Sequence, residues 1–415
     1  MKILTTLPTL ALCALALLVN PTGVNAQVAR GDDADPLAIP KVWKANEIPE
    51  DYSDAKRKYQ GIPSIEATGE GRLWVTWYAG GRGEDEYNYV LLITSDDKGK
   101  TWSKPLFAVD PQDTTRAFDP SLWRDPQGRL WIFWAQANVA QRDADGKVVP
   151  HPRDRFIRDC RAGVWCMTCE HPEAGVDSVW SEPRRIADGI MLNKPIVDSR
   201  GQWLYPISNW RYVSRYPVPD ELMHGPTIYK SEDEGKTVKL FGFSKLEQSK
   251  SRFDEHNIVE LSDGTLWMTV RTLAGFGEAY SKDGGKTWSD TVPSPVIKNT
   301  SSRFFMQRLQ SGHILLIKNG PVGQDIGRKV ITASLSQDDG KTWTEPLVLD
   351  EREDVTYPGA AQAADGTIYV VWDRGRIKEK EILMARFTED DLIQSKFASP
   401  DSETKVLINQ AFGIR

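Results

Sequence analysis

The sequence of 415 residues lacks three features that would each indicate a different class of protein. It has no excess of positive charge: 52 Lys and Arg against 58 Asp and Glu leave a formal net charge of −6, whereas nucleic-acid-binding proteins normally carry a basic patch. Beyond residue 26 it has no apolar run near the roughly 20 residues that a membrane helix requires. Its four cysteines form no strong zinc-ligand pattern. We therefore expect no nucleic-acid partner, no membrane span in the mature chain, no metal site and no other cofactor.

The first 26 residues have the pattern of an export signal. Lys2 provides the charged start, residues 7–19 form an apolar stretch that is short for a bilayer span, and Ala26 ends a small-residue cleavage site. This pattern predicts a signal peptide over residues 1–26, an N-terminal segment over 27–55 and a periplasmic or secreted mature protein.

The cysteines that remain lie in a long insertion, about residues 137–175, which we place between the second and third repeat units described below. They are Cys160, Cys166 and Cys169. Export favours oxidation, and His171 lies nearby in the sequence, so one disulfide with a spare thiol, three free thiols and a metal site are all open at this stage; the pattern favours the first. The insertion is expected to form a lid or rim over one face, because long loops without periodicity are more often functional than structural.

What the chain does have is a short motif, SxDxGxTW or a close copy, at residues 95–102, 231–238, 281–288 and 336–343. In this Asp-box the Asp carboxylate can accept hydrogen bonds from nearby backbone amides, the Gly supplies a positive φ, and the Trp packs beneath the loop. The motif is therefore predicted to be a structural turn and not a catalytic site. A spacing of about 50 residues between copies indicates a stack of similar units.

A second repeat occurs six times and consists of a turn with a central glycine followed by an apolar run. The central glycines are Gly71, Gly128, Gly201, Gly264, Gly312 and Gly366. Each copy is typical of a buried strand that follows a hairpin. Six units of about 50 to 70 residues favour an all-β, six-bladed β-propeller with Asp-box turns between the outer strands of its blades. We assign the propeller to residues 56–400, followed by a C-terminal tail over 401–415.

The glycine repeat also identifies equivalent positions in different blades. Nine residues before the central glycine stand Asp119, Glu255, Arg303 and Tyr357, each ahead of an apolar stretch that we interpret as the innermost strand. Lys194 lies near the same position in the third blade. A ring of ionisable side chains at one mouth of a propeller channel is a candidate binding site. A solvated rim of charges is the alternative interpretation.

These motifs resemble those of the sialidase (neuraminidase) superfamily, and more narrowly its bacterial BNR-repeat branch, over about residues 59–392. The Asp-boxes are weakly specific, because unrelated propellers share them. The spacing of the ionisable residues is more informative. Glu255 and Arg271 are 16 residues apart, in the order of the family's base Glu and second arginine. Arg328 precedes Tyr357 by 29 residues, in the order of the family's third arginine and nucleophilic Tyr.

The resemblance implies an exo-acting, retaining glycoside hydrolase of the sialidase type. Tyr357 would attack the anomeric carbon while Glu255 takes its proton, since a phenol suits a substrate whose carboxylate would repel an anionic nucleophile. Asp85 resembles the family's acid/base Asp, with Glu84 or Glu86 as alternatives. This residue would protonate the leaving oxygen and then activate water. The alternative interpretations are a blade-capping aromatic at Tyr357 and an ordinary surface carboxylate at Asp85.

One arginine of the family pattern is missing. Arg271 and Arg328 would hold the substrate carboxylate through their planar forks, but Gly61 stands where the family's first arginine belongs. The loss of one bidentate contact predicts weaker binding of a 2-keto sugar acid. The cations considered as replacements are Arg57, Lys58, Arg303 and Lys194. His256, next to Glu255, is interpreted as a substrate-binding residue or second base, or as an ordinary hydrogen-bonded rim histidine.

We therefore expect an exported glycosidase that removes a terminal acidic or deoxy sugar from a glycan. One alternative is a polysaccharide lyase, because Tyr and His beside arginines also suit proton abstraction next to a uronate carboxylate. A non-catalytic glycan-binding propeller is the other, although the pairing of Glu255 with Tyr357 favours an enzyme. Three aromatic residues outside the repeats are candidates for sugar stacking: Trp165, Trp210 and Tyr212.

Overall fold

The computed structural model describes residues 39–414 apart from 70, 151–156, 159–161, 210–212, 215–224, 248 and 252. The predicted signal peptide, Cys160, Trp210 and Tyr212 lie outside the described residues. Within the described ranges, no helix has both the length and the apolar character needed to cross a bilayer.

Six sheets, antiparallel except for one short parallel pairing at the edge of the second, are arranged as the blades of a β-propeller, which confirms the predicted fold class. Blade 1 consists of β1 (Lys41–Lys44), β2 (Gln60–Thr68), β3 (Arg72–Ala79), β4 (Tyr89–Ser95) and β5 (Phe107–Asp110). Blade 2 and its insertion consist of β6 (Thr115–Arg124), β7 (Leu130–Asn138), β8 (Ala140–Arg142), β9 (Val148–Pro150), β10 (Ile157–Arg158), β11 (Gly163–Cys169) and β12 (Arg184–Ala187). Blade 3 consists of β13 (Ile196–Val197), β14 (Trp203–Ser208), β16 (Pro226–Ser231) and β17 (Lys239–Phe243), and β15 (Val213–Ser214) pairs with β10.

The remaining blades each contain four consecutive strands. Blade 4 consists of β18 (His256–Glu260), β19 (Leu266–Thr272), β20 (Gly275–Ser281) and β21 (Val292–Pro293). Blade 5 consists of β22 (Phe305–Arg308), β23 (Ile314–Asn319), β24 (Lys329–Ser336) and β25 (Leu347–Glu353). Blade 6 consists of β26 (Val355–Gln362), β27 (Ile368–Arg374), β28 (Glu381–Phe387) and β29 (Glu403–Gln410), with the short helix α1 (Glu389–Gln394) before β29. Two short 3-10 helices lie at Glu50–Tyr52 and Pro172–Asp177.

The hydrophobic core is divided among the gaps between neighbouring blades. Five clusters of buried side chains each span two adjacent blades. A sixth joins blades 1 and 2 and also includes Ile190, Leu192 and, from blade 6, Tyr357. The cluster between blades 6 and 1, in which Trp77 packs near Val371, closes the ring. Both side chains are fully buried, so closure rests on the same apolar burial as every other blade interface.

The six repeat glycines lie in the hairpins between the first and second strands of the blades. Their φ angles are all positive, from 77° to 89°, a conformation that glycine adopts without the penalty of a Cβ. The sequence repeat therefore marks the inner hairpin of each blade, as predicted.

The Asp-boxes form turns between the third and fourth strands of blades 1, 3, 4 and 5. In the first box, the Ser95 hydroxyl oxygen accepts from the Gly99 amide at 2.9 Å, and the Asp97 carboxylate accepts from the amide and hydroxyl of Thr101 at 2.8 and 2.7 Å. The same bonds recur in the other three boxes. The hydroxyl and amide of Thr101 lower the pKa of Asp97 to about 2. The boxes are structural, as predicted.

The insertion lies inside blade 2, not between blades 2 and 3. Its apolar end, β11, pairs with β7 along seven residues and is the third strand of the blade. The prediction that the insertion lies between blades 2 and 3 was wrong. No turn motif marks the start of β11, so the sequence does not show that this strand still belongs to blade 2. Trp165 on this strand is 1% exposed, so it belongs to the core and offers no stacking surface.

Cys166 and Cys169 are buried free thiols. They are three residues apart on β11 and therefore face opposite sides of the sheet, which prevents a disulfide between them. Burial raises the pKa of Cys166 to about 11. Among the described residues, no group of His, Cys, Asp and Glu side chains could hold a metal ion.

Both ends of the described chain add strands to blades. Strand β1 pairs with β5 as a fifth strand of blade 1, and β29, in the segment assigned to a C-terminal tail, pairs with β28 as the outer strand of blade 6. Outer strands keep one face in solvent, and Glu403 and Lys405 are exposed. Their sequences therefore carry little apolar pattern from which a strand could be predicted.

Candidate active site

The innermost strands of blades 1, 2 and 6 begin with the same irregularity. Ile62, Asp119 and Tyr357 each precede a proline and have positive φ angles of 56°, 51° and 54°. The strand register shifts at each of them. Such a conformation is unfavourable for a residue with a side chain, and bulges of this kind commonly redirect a side chain beside an active site.

The centre of the site is formed by Tyr357, Glu255 and Arg271. Arg271 Nη1 donates to both carboxylate oxygens of Glu255 and to the Tyr357 hydroxyl, each at 2.8 Å. All three side chains are buried. Burial and the charge of Glu255 raise the pKa of the Tyr357 phenol, whereas the neighbouring arginines lower it. The base and nucleophile predicted from the sequence thus share one guanidinium nitrogen.

Three guanidinium groups surround the Tyr357 ring. The Cζ atoms of Arg271, Arg328 and Arg376 lie 5.9, 5.7 and 4.2 Å from the ring centre, within the range of cation–π attraction. Arg271 and Arg328 also both donate to the Ser301 carbonyl oxygen. The structure therefore brings the two predicted arginines together and adds a third.

Arg376 was missed in the sequence analysis. A Cβ atom at Gly61 would lie 2.7 and 2.8 Å from Cγ and Cδ of Arg376, so the Arg376 side chain occupies the space that Gly61 leaves open. Its guanidinium donates to Asp373 at 3.0 Å and to Glu84 and Thr356 at 3.2 Å. Arg376 follows β27 of blade 6 in the sequence. It lies beside Gly61 of blade 1 because the propeller ring closes between these two blades. No local signal in the sequence could have indicated this.

Asp85 and Glu84 face different surroundings. Both carboxylate oxygens of Asp85 accept from amides of its own loop, those of Arg82 at 2.7 Å and Tyr87 at 3.1 Å. The Glu84 carboxylate accepts from Arg376 and, at 3.4 Å, from the Tyr59 hydroxyl. Of the two, Glu84 is the carboxylate that reaches the arginine cluster.

Asp119 is 4% exposed and lies close enough to Glu255 to interact with its charge. Burial, and then the charge of Glu255, raise the pKa of Asp119 to about 8. The carboxyl group therefore holds its proton at neutral pH and can donate a hydrogen bond to a ligand.

Arg303 lies at the channel axis, but its guanidinium is occupied by the protein. Nε donates to Asn193 Oδ1 and Nη2 to the Leu192 carbonyl oxygen, both at 2.9 Å, and Nη1 lies 3.5 Å from the Pro63 carbonyl oxygen. Burial lowers its pKa to about 10. These bonds tie blade 5 to blades 1 and 3. Three bonds to the protein therefore give Arg303 a structural role that links blades across the channel, in place of the substrate contact expected from the sequence.

Lys194 belongs to the opposite mouth of the channel. Its Nζ donates to Glu66 Oε2 at 2.6 Å and to the Ile65 carbonyl oxygen at 2.8 Å. Burial lowers the pKa of Lys194, and Glu66 opposes that shift. The two residues line a cavity of about 540 Å³ at the ends of the inner strands. The structure does not place Lys194 beside Tyr357, Glu255 and Arg271. The inner strand that follows Lys194 has only two residues, so a fixed count back from the repeat glycine does not give the position of Lys194 along the channel.

His256 is buried between blades 3 and 4. Its Nδ1 lies 2.9 Å from the Asp254 carbonyl oxygen and its Nε2 lies 2.9 Å from the Thr227 carbonyl oxygen. Burial lowers its pKa to about 4. The ring is directed into the blade interface, so of the two interpretations offered for His256 the structure supports the hydrogen-bonded structural residue.

Lys318 is a further missed residue. Its side chain is buried, and burial lowers its pKa to about 7. The ammonium donates to four carbonyl oxygens of the loop that leads to Arg328, those of Asn319, Gly320, Pro321 and Gln324 at 2.6, 2.9, 2.8 and 3.1 Å. These bonds favour the charged form and hold the loop that carries Arg328.

A cavity of about 400 Å³ opens beside the cluster. Its lining includes Tyr59, Glu84, Arg328, Thr356, Arg376 and Lys378. The volume is within the ~300–1,000 Å³ typical of small-molecule sites. Three cationic side chains, Arg328, Arg376 and Lys378, line the cavity against the two carboxylates Glu84 and Asp354, so it suits a polar ligand that carries negative charge.

Comparison with known proteins identifies the family to which the chain belongs. The BNR repeat-like domain matches residues 71–370. A curated protein named Sialidase from Bacteroides fragilis is 24% identical over 345 residues, which are 75% of this chain and 59% of that protein. The chain thus spans about three fifths of that relative's length.

Solved structures share the fold at low identity. The intramolecular trans-sialidase from Ruminococcus gnavus, in complex with oseltamivir carboxylate, has a TM-score of 0.59 at 16% identity, over 84% of this chain and 98% of that one. A protein of unknown function from Dyadobacter fermentans has a TM-score of 0.58 at 17% identity, over 77% and 92%. On the match to residues 71–370, the chain belongs to the BNR repeat-like family.

Proposed function

We infer that the protein is an exported, exo-acting, retaining glycoside hydrolase that removes a terminal acidic sugar of the sialic-acid type from a complex glycan. The observation that carries this function is the shared contact of Arg271 Nη1 with Glu255 and the Tyr357 hydroxyl. A buried Tyr beside a carboxylate and three arginines suits nucleophilic attack at a carbon that bears a carboxylate group.

In the first chemical step, the Tyr357 oxygen forms a bond to the anomeric carbon as the bond to the leaving oxygen breaks. The phenolic proton passes to Glu255. Arg271 contacts both groups, so a substrate carboxylate that draws Arg271 toward itself frees Glu255 to accept the proton. The positive charges of Arg328 and Arg376 then stabilise the developing phenolate.

The substrate carboxylate would be held by Arg271, Arg328 and Arg376. Arg376 takes the place of the arginine that Gly61 replaces, since its side chain fills the space above that glycine. The neutral carboxyl of Asp119 would donate a hydrogen bond to a sugar hydroxyl. Binding therefore combines charge pairing on one side of the sugar with a neutral donor on the other.

The general acid is proposed to come from the loop of residues 80–88. Asp85 is the residue that the family spacing selects, and Glu84 is the carboxylate that contacts Arg376. Either would protonate the leaving oxygen and then take a proton from the water that hydrolyses the bond to Tyr357. Asp85→Asn and Glu84→Gln variants, compared on substrates with good and poor leaving groups, decide between them: only loss of the true acid is rescued by a good leaving group.

The lyase alternative depended in part on His256 as a base, and the position of His256 does not support that role. His256 points into the interface of blades 3 and 4, with both ring nitrogens at carbonyl oxygens. Tyr357 alone would then have to abstract the proton next to a uronate carboxylate.

Product analysis tests the proposed function. The purified protein is incubated with sialylated, 2-keto-deoxy-sugar and uronate-containing glycans, and the products are measured by mass spectrometry and, for the first-formed anomer, by NMR. Release of a terminal sugar with water added and with retained configuration supports the glycosidase. An unsaturated uronate without added water would establish the lyase, and binding without any product would establish a lectin. Mass analysis of the mature N-terminus tests export.

A further inference from the structure

A second cavity lies along the loop of residues 80–88. This loop lines the 400 Å³ cavity through Gly83 and Glu84, and it lines a larger cavity of about 1050 Å³ through Arg82, Asp85 and Tyr87. The other walls of the larger cavity come from residues 51–58 and from Lys147, in the hairpin of β8 and β9. Lys147 belongs to the insertion of blade 2, which thus contributes to the lining of this cavity.

One tyrosine of this cavity offers an exposed ring to a sugar. The Tyr87 side chain is 60% exposed, while its amide is bonded to Asp85, so an exposed ring stands on a fixed backbone. Tyr89 is 3% exposed and stacks on Tyr52 with ring centres 3.9 Å apart. These two rings form a wall of the cavity, and Tyr87 is the tyrosine whose ring a sugar can contact.

The charge of the cavity is positive, although the chain as a whole is acidic. Five Lys and Arg side chains line it against three Asp and Glu. Arg57 and Lys58, considered from the sequence as replacements for the missing arginine, lie here. Among the residues that the structure describes, the ammonium groups of Lys56, Lys58 and Lys147 form no ion pair. Unpaired ammonium groups around a cavity attract carboxylate or sulfate groups.

We propose that this cavity binds the part of an acidic glycan that follows the cleaved bond. The proposal rests on the proposed function. The acid that protonates the leaving oxygen lies on the loop that lines both cavities, so the leaving sugars emerge beside that loop. A sugar of the leaving chain stacks on Tyr87, and its acidic groups contact Lys56, Lys58 and Lys147.

The experiment compares three substrates of N-acetylneuraminic acid: a 4-methylumbelliferyl glycoside, sialyllactose with a neutral disaccharide as leaving group, and tetrasialic acid with an acidic leaving chain. The measured quantity is the ratio of kcat/KM for each glycan to that for the aryl glycoside. The variants are Tyr87→Ala and the triple variant Lys56→Ala/Lys58→Ala/Lys147→Ala. Tyr280→Ala, a part-exposed tyrosine of blade 4, is the matched control.

The expected result is a loss of about fivefold in both ratios for Tyr87→Ala, since one aromatic contact is removed. The triple lysine variant should lower the tetrasialic acid ratio about tenfold and leave the sialyllactose ratio unchanged, and added salt should have the same effect on the wild type. Tyr280→Ala should change neither ratio. If the aryl glycoside is hydrolysed but the ratios do not respond to Tyr87 or the lysines, the cavity proposal is overturned and the proposed function stands. If no substrate is hydrolysed, both are overturned.

Discussion

Both mouths of the propeller channel hold buried cationic and acidic side chains, but these side chains have different partners at the two mouths. At the mouth where the inner strands end, Lys194 and Glu66 form a pair at 2.6 Å with both side chains about 10% exposed, and the cavity measures about 540 Å³. At the mouth where the strands begin, Arg271 is shared between Glu255 and Tyr357, and the adjacent cavity measures about 400 Å³. The larger cavity is therefore not the better site. At the first mouth each charge has the other as its charged partner, whereas at the second Arg271 donates to Glu255 and also to the neutral Tyr357 hydroxyl, so a ligand carboxylate can replace one of its two acceptors.

The two mouths also differ in backbone conformation. Ile62, Asp119 and Tyr357 at the strand starts have positive φ angles and interrupt the register. The strand ends run in regular pairing into their glycine turns, as at Thr68 opposite Arg72 and Gln362 opposite Ile368. Of the two mouths, the one with these unfavourable inner-strand conformations is the one that holds Tyr357, Glu255 and Arg271.

The largest expected effect separates the two mouths by activity. Tyr357→Phe removes the nucleophilic oxygen and should lower kcat more than about a thousandfold, with a melting temperature close to that of the wild type because the ring remains in place. Fluorogenic turnover and thermal unfolding measure the two quantities. Lys194→Met at the opposite mouth is the control, and its activity per folded molecule should be unchanged. Full turnover in Tyr357→Phe would remove the nucleophile from the mechanism.

The next effect separates the mouths by stability. Lys194→Met leaves the buried Glu66 carboxylate without its partner and should lower the free energy of unfolding by about 3–5 kcal/mol. The double variant Lys194→Met/Glu66→Leu, in which no charge is left unpaired, should regain most of that loss. Urea unfolding measures both. Equal stability of the wild type and the single variant would show that the pair is not a structural feature of this mouth.

A smaller effect tests the position of Arg376. A Cβ at Gly61 would overlap the Arg376 side chain, so Gly61→Ala should displace the guanidinium and raise KM for an acidic substrate about tenfold, with a smaller change in kcat. Gly323→Ala, at which a Cβ meets nothing within 4 Å, is the matched control. The double variant Gly61→Arg/Arg376→Ala should recover part of the affinity. Unchanged KM in Gly61→Ala would place the substrate away from Arg376.

The smallest effect concerns pH. The pKa of Asp119 is raised from 3.8 to about 8, so the folded protein holds a proton that the unfolded chain releases. Between these values, the contribution of Asp119 to stability falls as pH rises. Asp119→Asn cannot ionise, and Asn tolerates a positive φ. The variant should match the wild type below pH ~4 and be more stable by more than about 1 kcal/mol at pH ~8, as measured by urea unfolding across pH. A difference that does not change with pH would show that Asp119 is ionised in the folded state.

The sequence predicted the features that depend on local chemistry or on spacing within one or two blades. The glycine hairpins and Asp-boxes were found because turn residues act over a few positions, and Glu255 with Arg271 because both flank one hairpin of blade 4. The orientation of Asp85 was not predictable. Its loop holds three consecutive carboxylates, Glu84, Asp85 and Glu86, and the order of residues does not show which of them the loop amides bind.

By itself, then, the sequence determined the number of blades, their Asp-box turns and the residues proposed as nucleophile and base, since each is written in residues that are close together or regularly spaced. Only the tertiary structure decided which cations reach the candidate site. Arg376 lies over Gly61 because closure of the ring brings blade 6 against blade 1, and Lys194 faces the other mouth because Glu66 pairs with it there. Charges pair according to their distance in space, and for residues of different blades the spacing along the sequence does not give that distance.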